Sequence, residues 1–323
     1  MRQQILQFPE QIPTGIELAE KIKIEKNYER VIVCGMGGSS VAGEILLFWQ
    51  EASGMPLTFH IHRDYDLPSW ISENDLVVCI SWSGNTEETI SSYESAVKNN
   101  IPVASIATGG KLGELSNKNG TPFVLIPNKN LQPRMGAGYM TTALFQILGL
   151  GEKIASTSLN AEKAEEKGKN MADEINNAAP LLYSSYKWKI IPKFWKILFN
   201  ENCKIHSFWN YLPGMAHNEL AGFTRRPETS DKRQGKDFYP IFFKDPDDDP
   251  RQNKNVDTAI AILKKIGYNC NIVSISPNKK PLEAVLEGYV LGLWTSYYLA
   301  KKMVVDPEDI KLIEKYKRAR KQL

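Results

Sequence analysis

The run Asp75-Leu76-Val77-Val78-Cys79-Ile80-Ser81-Trp82-Ser83-Gly84-Asn85-Thr86-Glu87-Glu88-Thr89 decides the reading of this chain. Its first seven residues form an apolar run rich in strand-favouring side chains, as a strand buried on both faces requires. Ser83-Gly84-Asn85 breaks that run, and residues 86–98 continue with helical spacing. Residues 102–107 supply the next strand. Strand, turn, helix, strand is a βαβ unit, and two parallel strands need such a crossover.

The same alternation extends in both directions. Arg30-Val31-Ile32-Val33-Cys34 predicts a strand that ends in Gly35-Met36-Gly37-Gly38, with a helix over 41–50. Residues 57–62 and 124–126 predict further strands. The Ala-, Glu- and Lys-rich stretch 159–179 predicts a helix that crosses into a second half. There, 203–206, 240–243 and 271–275 read as strands, and 256–266 and 281–302 as helices. The fold class is therefore α/β, with two subdomains over 1–152 and 153–323, each a mainly parallel sheet flanked by helices. Two similar α/β halves imply a cleft between them, a common place for a small-molecule site. Residues 224–255 mix charges of both signs with Pro and Gly, as in Asp245-Pro246-Asp247-Asp248-Asp249-Pro250. They read as a solvated connection around one short strand, or as a flap over a site.

Composition narrows the function. The chain has 323 residues, with 40 Lys and Arg against 37 Asp and Glu, a net charge of only +3. Such a balance argues against a nucleic-acid binder, which carries a basic surplus. The most apolar helical stretch is interrupted by Glu287, Gly288, Thr295 and Ser296, so no membrane span is expected. The N-terminus lacks the apolar core of a signal peptide. Cys34, Cys79, Cys203 and Cys270 are widely spaced, and they read as reduced thiols of a cytoplasmic protein. His60 and His62 share a strand face but have no carboxylate or Cys nearby in sequence, so no metal site is expected.

Two loops at strand ends carry chemistry. In Cys34-Gly35-Met36-Gly37-Gly38-Ser39-Ser40, glycines let backbone approach a ligand, and a helix start presents N–H groups to an anion. Ser40 occupies the third glycine position of the dinucleotide fingerprint, so a structural tight turn and a binding loop fit equally well. The second loop, 81–89, places Ser81, Ser83 and Thr86 at the head of a helix. Hydroxyl donors and a helix N-terminus together suit a phosphate monoester; the bland alternative is an N-capped helix.

At these residues the chain resembles the sugar isomerase (SIS) domain proteins, whose fold is the flavodoxin-like three-layer α/β/α arrangement. Pro133-Arg134-Met135-Gly136-Ala137-Gly138-Tyr139, then Asn200-Glu201-Asn202-Cys203-Lys204, then His217-Asn218-Glu219-Leu220-Ala221-Gly222 resemble the bifunctional phosphoglucose/phosphomannose isomerases. Val305-Asp306-Pro307, Ile313 and Lys317 are similar to that family's ending. The resemblance implies interconversion of glucose 6-phosphate and mannose 6-phosphate with fructose 6-phosphate through a cis-enediolate. It implies Glu201 as the base, with His217 opening the sugar ring in a neighbouring subunit's site and hence a homodimer. Glu219 is a competing acid or base. Arg134 would stabilise the oxyanion, and Ser81, Ser83 and Thr86 would hold the phosphate. Gly37, Gly38 and Ser39 would contact the sugar, and Lys317 would close over it. No cofactor or metal is implied. The resemblance aligns Ile310 with a Thr of several relatives. A non-catalytic SIS regulator is the alternative, but fewer than 30 residues precede the first strand, too few for the DNA-binding module such regulators carry. The isomerase half of a glucosamine 6-phosphate synthase would need a glutaminase with a catalytic Cys ahead of it.

Overall fold

The computed structural model describes residues 1–22, 24, 28–175, 178–224, 237–275 and 279–320. Residues 225–236, within the charge-mixed connection, lie outside the described residues. The chain forms two compact units: residues 3–161 with 280–286, and residues 1–2, 162–279 and 287–323.

The first unit contains β1 (Arg30–Cys34), β2 (Thr58–His62), β3 (Leu76–Ser81), β4 (Val103–Ala107) and β5 (Phe123–Leu125). Their order is β2-β1-β3-β4-β5, and every pair is parallel. All residues of β3 and β4 are buried, which is why these runs are continuously apolar rather than alternating. Helices Glu87–Lys98 and Gly110–Asn119 bring Tyr93, Ala96 and Leu112 onto Ile32, Cys34, Val77 and Cys79. Helix Ala137–Ile147 is buried along almost its whole length. The sequence did not predict the helix Gly110–Asn119, because its glycines and asparagines read as loop.

Where β1 and β3 begin, the Arg30 guanidinium grips the fully buried Asp75 carboxylate with two bonds, 2.7 and 2.9 Å. The Ser72 amide adds a third at 2.7 Å. Burial pushes the Asp75 carboxyl upward, but the hydrogen bonds from Arg30 and Ser72 and the Arg30 charge outweigh it, leaving it below the ordinary carboxylate value.

The second unit contains β6 (Ala179–Ser185), β7 (Phe208–Leu212), β8 (Phe238–Lys244) and β9 (Asn271–Ser274), in the order β7-β6-β8-β9. Again every pair is parallel. Tyr183, Leu212, Met215, Phe242 and Leu263 meet on one side of this sheet. The expected strand over 203–206 is not there. Helix Ile190–Leu198 instead runs on as a π-turn, Phe199–Cys203. Asn202 and Cys203 are drawn inward by Ser296, at 2.8 and 3.0 Å, and Lys204 then ends the turn at φ +57°. The strand starts later, at Phe208. The helix expected over 159–179 spans Ala161–Ile175, and Ala179 opens β6.

Loss of Arg30 leaves a buried carboxylate without its main partner. Arg30→Met should cost about 1–3 kcal/mol at pH 7, the usual penalty for an orphaned buried acceptor. Because the folded-state pKa of Asp75 is depressed, the stabilisation is present above the unfolded value of about 3.9 and is lost as pH falls through the folded value. Urea unfolding at pH 7 and near pH 3 checks this: the two proteins should converge in acid.

Candidate functional site

The loop after β3 is built as a cradle at the C-terminal edge of the first sheet. Ser81, fully buried, donates from Oγ to Thr86 Oγ1 at 2.9 Å. Ser83 Oγ accepts from the Asn85 amide at 3.2 Å. Thr86 stands at the N-cap of helix Glu87–Lys98 without a side-chain capping bond, so its hydroxyl is not consumed by the helix end. Gly84 has φ +68°, and a Cβ there would lie 1.8 Å from the Gly109 carbonyl oxygen. Only glycine fits such an approach. The neighbouring strand end reinforces it: Leu112 N donates to Gly84 O at 2.9 Å, Lys111 N to Asn85 Oδ1 at 3.0 Å, and Thr108 Oγ1 to Trp82 O at 2.7 Å.

The glycine loop after β1 joins the same edge. Gly37 has φ +52° and opens the short turn Gly37–Ser40. Ser39 Oγ accepts from the Trp82 amide at 3.0 Å, tying the two loops together. A Cβ on Gly38 would lie 2.8 Å from the Arg134 backbone nitrogen, and one on Gly136 would overlap the Trp82 ring. The turn Pro133–Gly136 therefore packs on both loops, and it carries Arg134, only 1% exposed. The structure thus brings Gly37, Gly38, Ser39, Ser81, Ser83, Thr86 and Arg134 to one edge of one unit.

Glu201, His217 and Lys317 belong to the second unit. Glu201 is half-buried in the π-turn that precedes β7, at the edge where the strands of that sheet begin. His217 is exposed in the short helix Gly214–Asn218 that follows β7, at the edge where the strands end. The five residues of β7 lie between them, a span of about 16 Å at ~3.3 Å per residue. Within this unit the two residues are therefore apart. Lys317 is exposed on helix Lys311–Arg320, none of whose residues is buried. Ile310 immediately precedes that helix and accepts from Glu314 N at 3.0 Å.

Several contributors were invisible in the sequence. Gln11, 2% exposed, donates to Met135 O at 2.7 Å and accepts from Tyr139 N at 3.3 Å, bracing the segment that bears Arg134. It is more than 120 residues away in sequence, with no local signal. Thr108-Gly109-Gly110 does carry a detectable sign, a glycine pair after a strand. His60 packs edge-on against Trp70 at 5.1 Å, and partial desolvation, then the neighbouring His62, depress its pKa. Among the described residues no three His, Cys, Asp or Glu side chains gather as a metal-binding group.

Comparison with known proteins gives this geometry a family. Residues 24–133 match the SIS domain, and residues 164–319 match the bacterial phospho-glucose isomerase C-terminal SIS domain. The chain is 33% identical over 298 residues to the bifunctional phosphoglucose/phosphomannose isomerase of Aquifex aeolicus, covering 90% of each chain. It is 31% identical to the protein of the same name from Thermoplasma volcanium, covering 97% of this chain and 99% of the other. A solved structure of a hypothetical protein from Thermus thermophilus superposes with a TM-score of 0.73 at 15% identity, covering 98% of this chain and 89% of that one. With two parallel sheets, an SIS match in each half and identity above 30% along nearly the whole chain, this protein belongs to the bifunctional phosphoglucose/phosphomannose isomerase family.

Proposed function

We propose that the protein interconverts glucose 6-phosphate and mannose 6-phosphate with fructose 6-phosphate. The observation that carries this reading is the Ser81–Thr86 cradle, braced by the glycine loop and by the turn that holds the buried Arg134. Clustered hydroxyls, with Ser81 buried, Thr86 half-buried and Ser83 exposed, and a helix N-terminus take a phosphate monoester without a cluster of lysines. Gly37, Gly38 and Ser39 then lie along the sugar.

The chemistry is proton transfer within the sugar and calls for no cofactor. The ring opens as a proton moves between the ring oxygen and the hydroxyl on C1, a task suited to an imidazole, which can both accept and donate a proton, here His217. Glu201 removes the proton from C2 of the aldose and returns it to C1. The cis-enediolate between these steps carries negative charge on oxygen, which the permanently charged Arg134 stabilises. C2 is planar in that intermediate, so one enediolate serves both epimers. Lys317 closes over the bound sugar.

The separation of Glu201 from His217 by the length of β7 supports a homodimer in which His217 serves the partner's site. Among the described residues no helix is long and apolar enough to cross a membrane, and all four cysteines are free. We propose a cytoplasmic enzyme, as reduced cysteines in a chain of this size suggest.

In D₂O, glucose 6-phosphate and mannose 6-phosphate should exchange the C2 proton, followed by NMR; no exchange from either sugar overturns the proposal. Glu201→Gln should still bind fructose 6-phosphate and lose at least about 10²-fold in exchange, the scale of a general base. Mixing Glu201→Gln with His217→Ala, each inactive alone, should regenerate activity once subunits have exchanged. Inactivity of a mixture proven to contain hybrid dimers refutes the shared site.

A further inference from the structure

One carboxylate near His217 is held in a way that the proposed chemistry does not use. Tyr183 in β6 and Asn210 in β7 are register partners on adjacent strands. Tyr183 Oη donates to Glu219 Oε1 at 2.5 Å, and Asn210 Nδ2 donates to Glu219 Oε2 at 2.7 Å. Asn210 is itself fixed, since its Oδ1 accepts from the Tyr211 amide at 2.8 Å. Tyr183 is fully buried, and burial, then Glu219, push its hydroxyl far above the ordinary tyrosine range, so it remains a donor. Two strands of the sheet thus clamp both oxygens of one side chain.

That side chain begins the turn Glu219–Phe223, directly after the helix Gly214–Asn218. Met215, two residues before His217, is fully buried in the core beside Tyr183. Glu219 lies two residues after it. The exposed imidazole therefore sits on a short segment pinned on one side by an apolar anchor and on the other by a carboxylate. A five-residue helix has too few internal hydrogen bonds to hold an orientation by itself.

We propose that Glu219 is a positioning residue: clamped by Tyr183 and Asn210, it sets the orientation of the His217 segment and does not itself transfer the substrate proton. This rests on the isomerase reading for the role of His217, but the clamp is a property of the fold and is measurable without substrate. It also separates two carboxylates that the sequence left in competition, assigning proton transfer to Glu201 and positioning to Glu219.

The test is a rescue. In Glu219→Gln the new amide still accepts from Tyr183, but its nitrogen faces Asn210 Nδ2, donor against donor. Adding Asn210→Asp converts that second partner to an acceptor and keeps one negative charge in the clamp. Glu219→Gln should lower kcat about 10–100-fold with KM changed less than threefold, and the double variant should recover to within about fivefold of wild type. A double variant no more active than Glu219→Gln shows that the carboxylate at 219 itself does the chemistry, and a fully active single variant shows that the clamp does not matter; either overturns the proposal. Amide hydrogen exchange over 214–218 supplies the substrate-free arm. Exchange should speed up at least tenfold in Glu219→Gln and in Tyr183→Phe, and return to the wild-type rate in the double variant. Unchanged exchange in folded single variants also overturns the proposal. A wild-type protein inert toward both sugars would instead defeat the isomerase reading, and the hydrogen-exchange arm would still decide the clamp.

Discussion

Parallel pairing is the constraint from which the rest of this molecule follows. Every neighbouring pair of strands in both sheets is parallel. Each chain reversal must therefore travel over a face of the sheet, which buries both faces, and all strands of a sheet end along one edge. Loops leaving β1, β3, β4 and β5 meet there with no need for sequence proximity. Residues as distant as Ser39, Trp82, Thr108 and Arg134 become neighbours because the strands before them point the same way.

The two units repeat one topology. The order β2-β1-β3-β4 of the first corresponds to β7-β6-β8-β9 of the second. In this correspondence the Ser81–Thr86 loop after β3 matches the loop after β8, Asp245-Pro246-Asp247-Asp248-Asp249. The second loop has carboxylates where the first has hydroxyls. Asp248 accepts from Ser185, and Asp245 accepts from Trp188 Nε1 at 2.9 Å and Lys187 Nζ at 3.0 Å. Protein carboxylates there occupy nearby donors at the same strand end of the second unit. One fold used twice thus presents a hydroxyl-lined loop at one strand end and a carboxylate-lined loop at the equivalent one.

What the sequence revealed depended on how local the signal was. β3 and β4 were legible because full burial leaves an uninterrupted apolar run. β7 was not: Phe208-Trp209-Asn210-Tyr211-Leu212 lies at the edge of its sheet, partly exposed, and its aromatic and polar mixture does not resemble a buried strand. The π-turn at Phe199–Cys203 arose from contacts with Ser296, more than 90 residues further on. Ser81, Ser83 and Thr86 were recognisable from hydroxyl density at a strand end. Gln11 beside Arg134, and Tyr183 with Asn210 around Glu219, depend on register and long-range packing that no local pattern records.

The close fit at Gly84 has a thermodynamic consequence. Its left-handed backbone presses against Gly109 and Gly110, and hydrogen bonds from the next strand end and from within the loop hold it and its neighbours. The cradle is therefore ordered before any ligand arrives. Fixing a free residue costs about 1–2 kcal/mol of backbone entropy. For these residues that cost was met during folding, so the loop is preorganised for the phosphate proposed to bind it. The chain trades a mobile loop for a stiff one, and stiffness there fixes the positions of its hydroxyls.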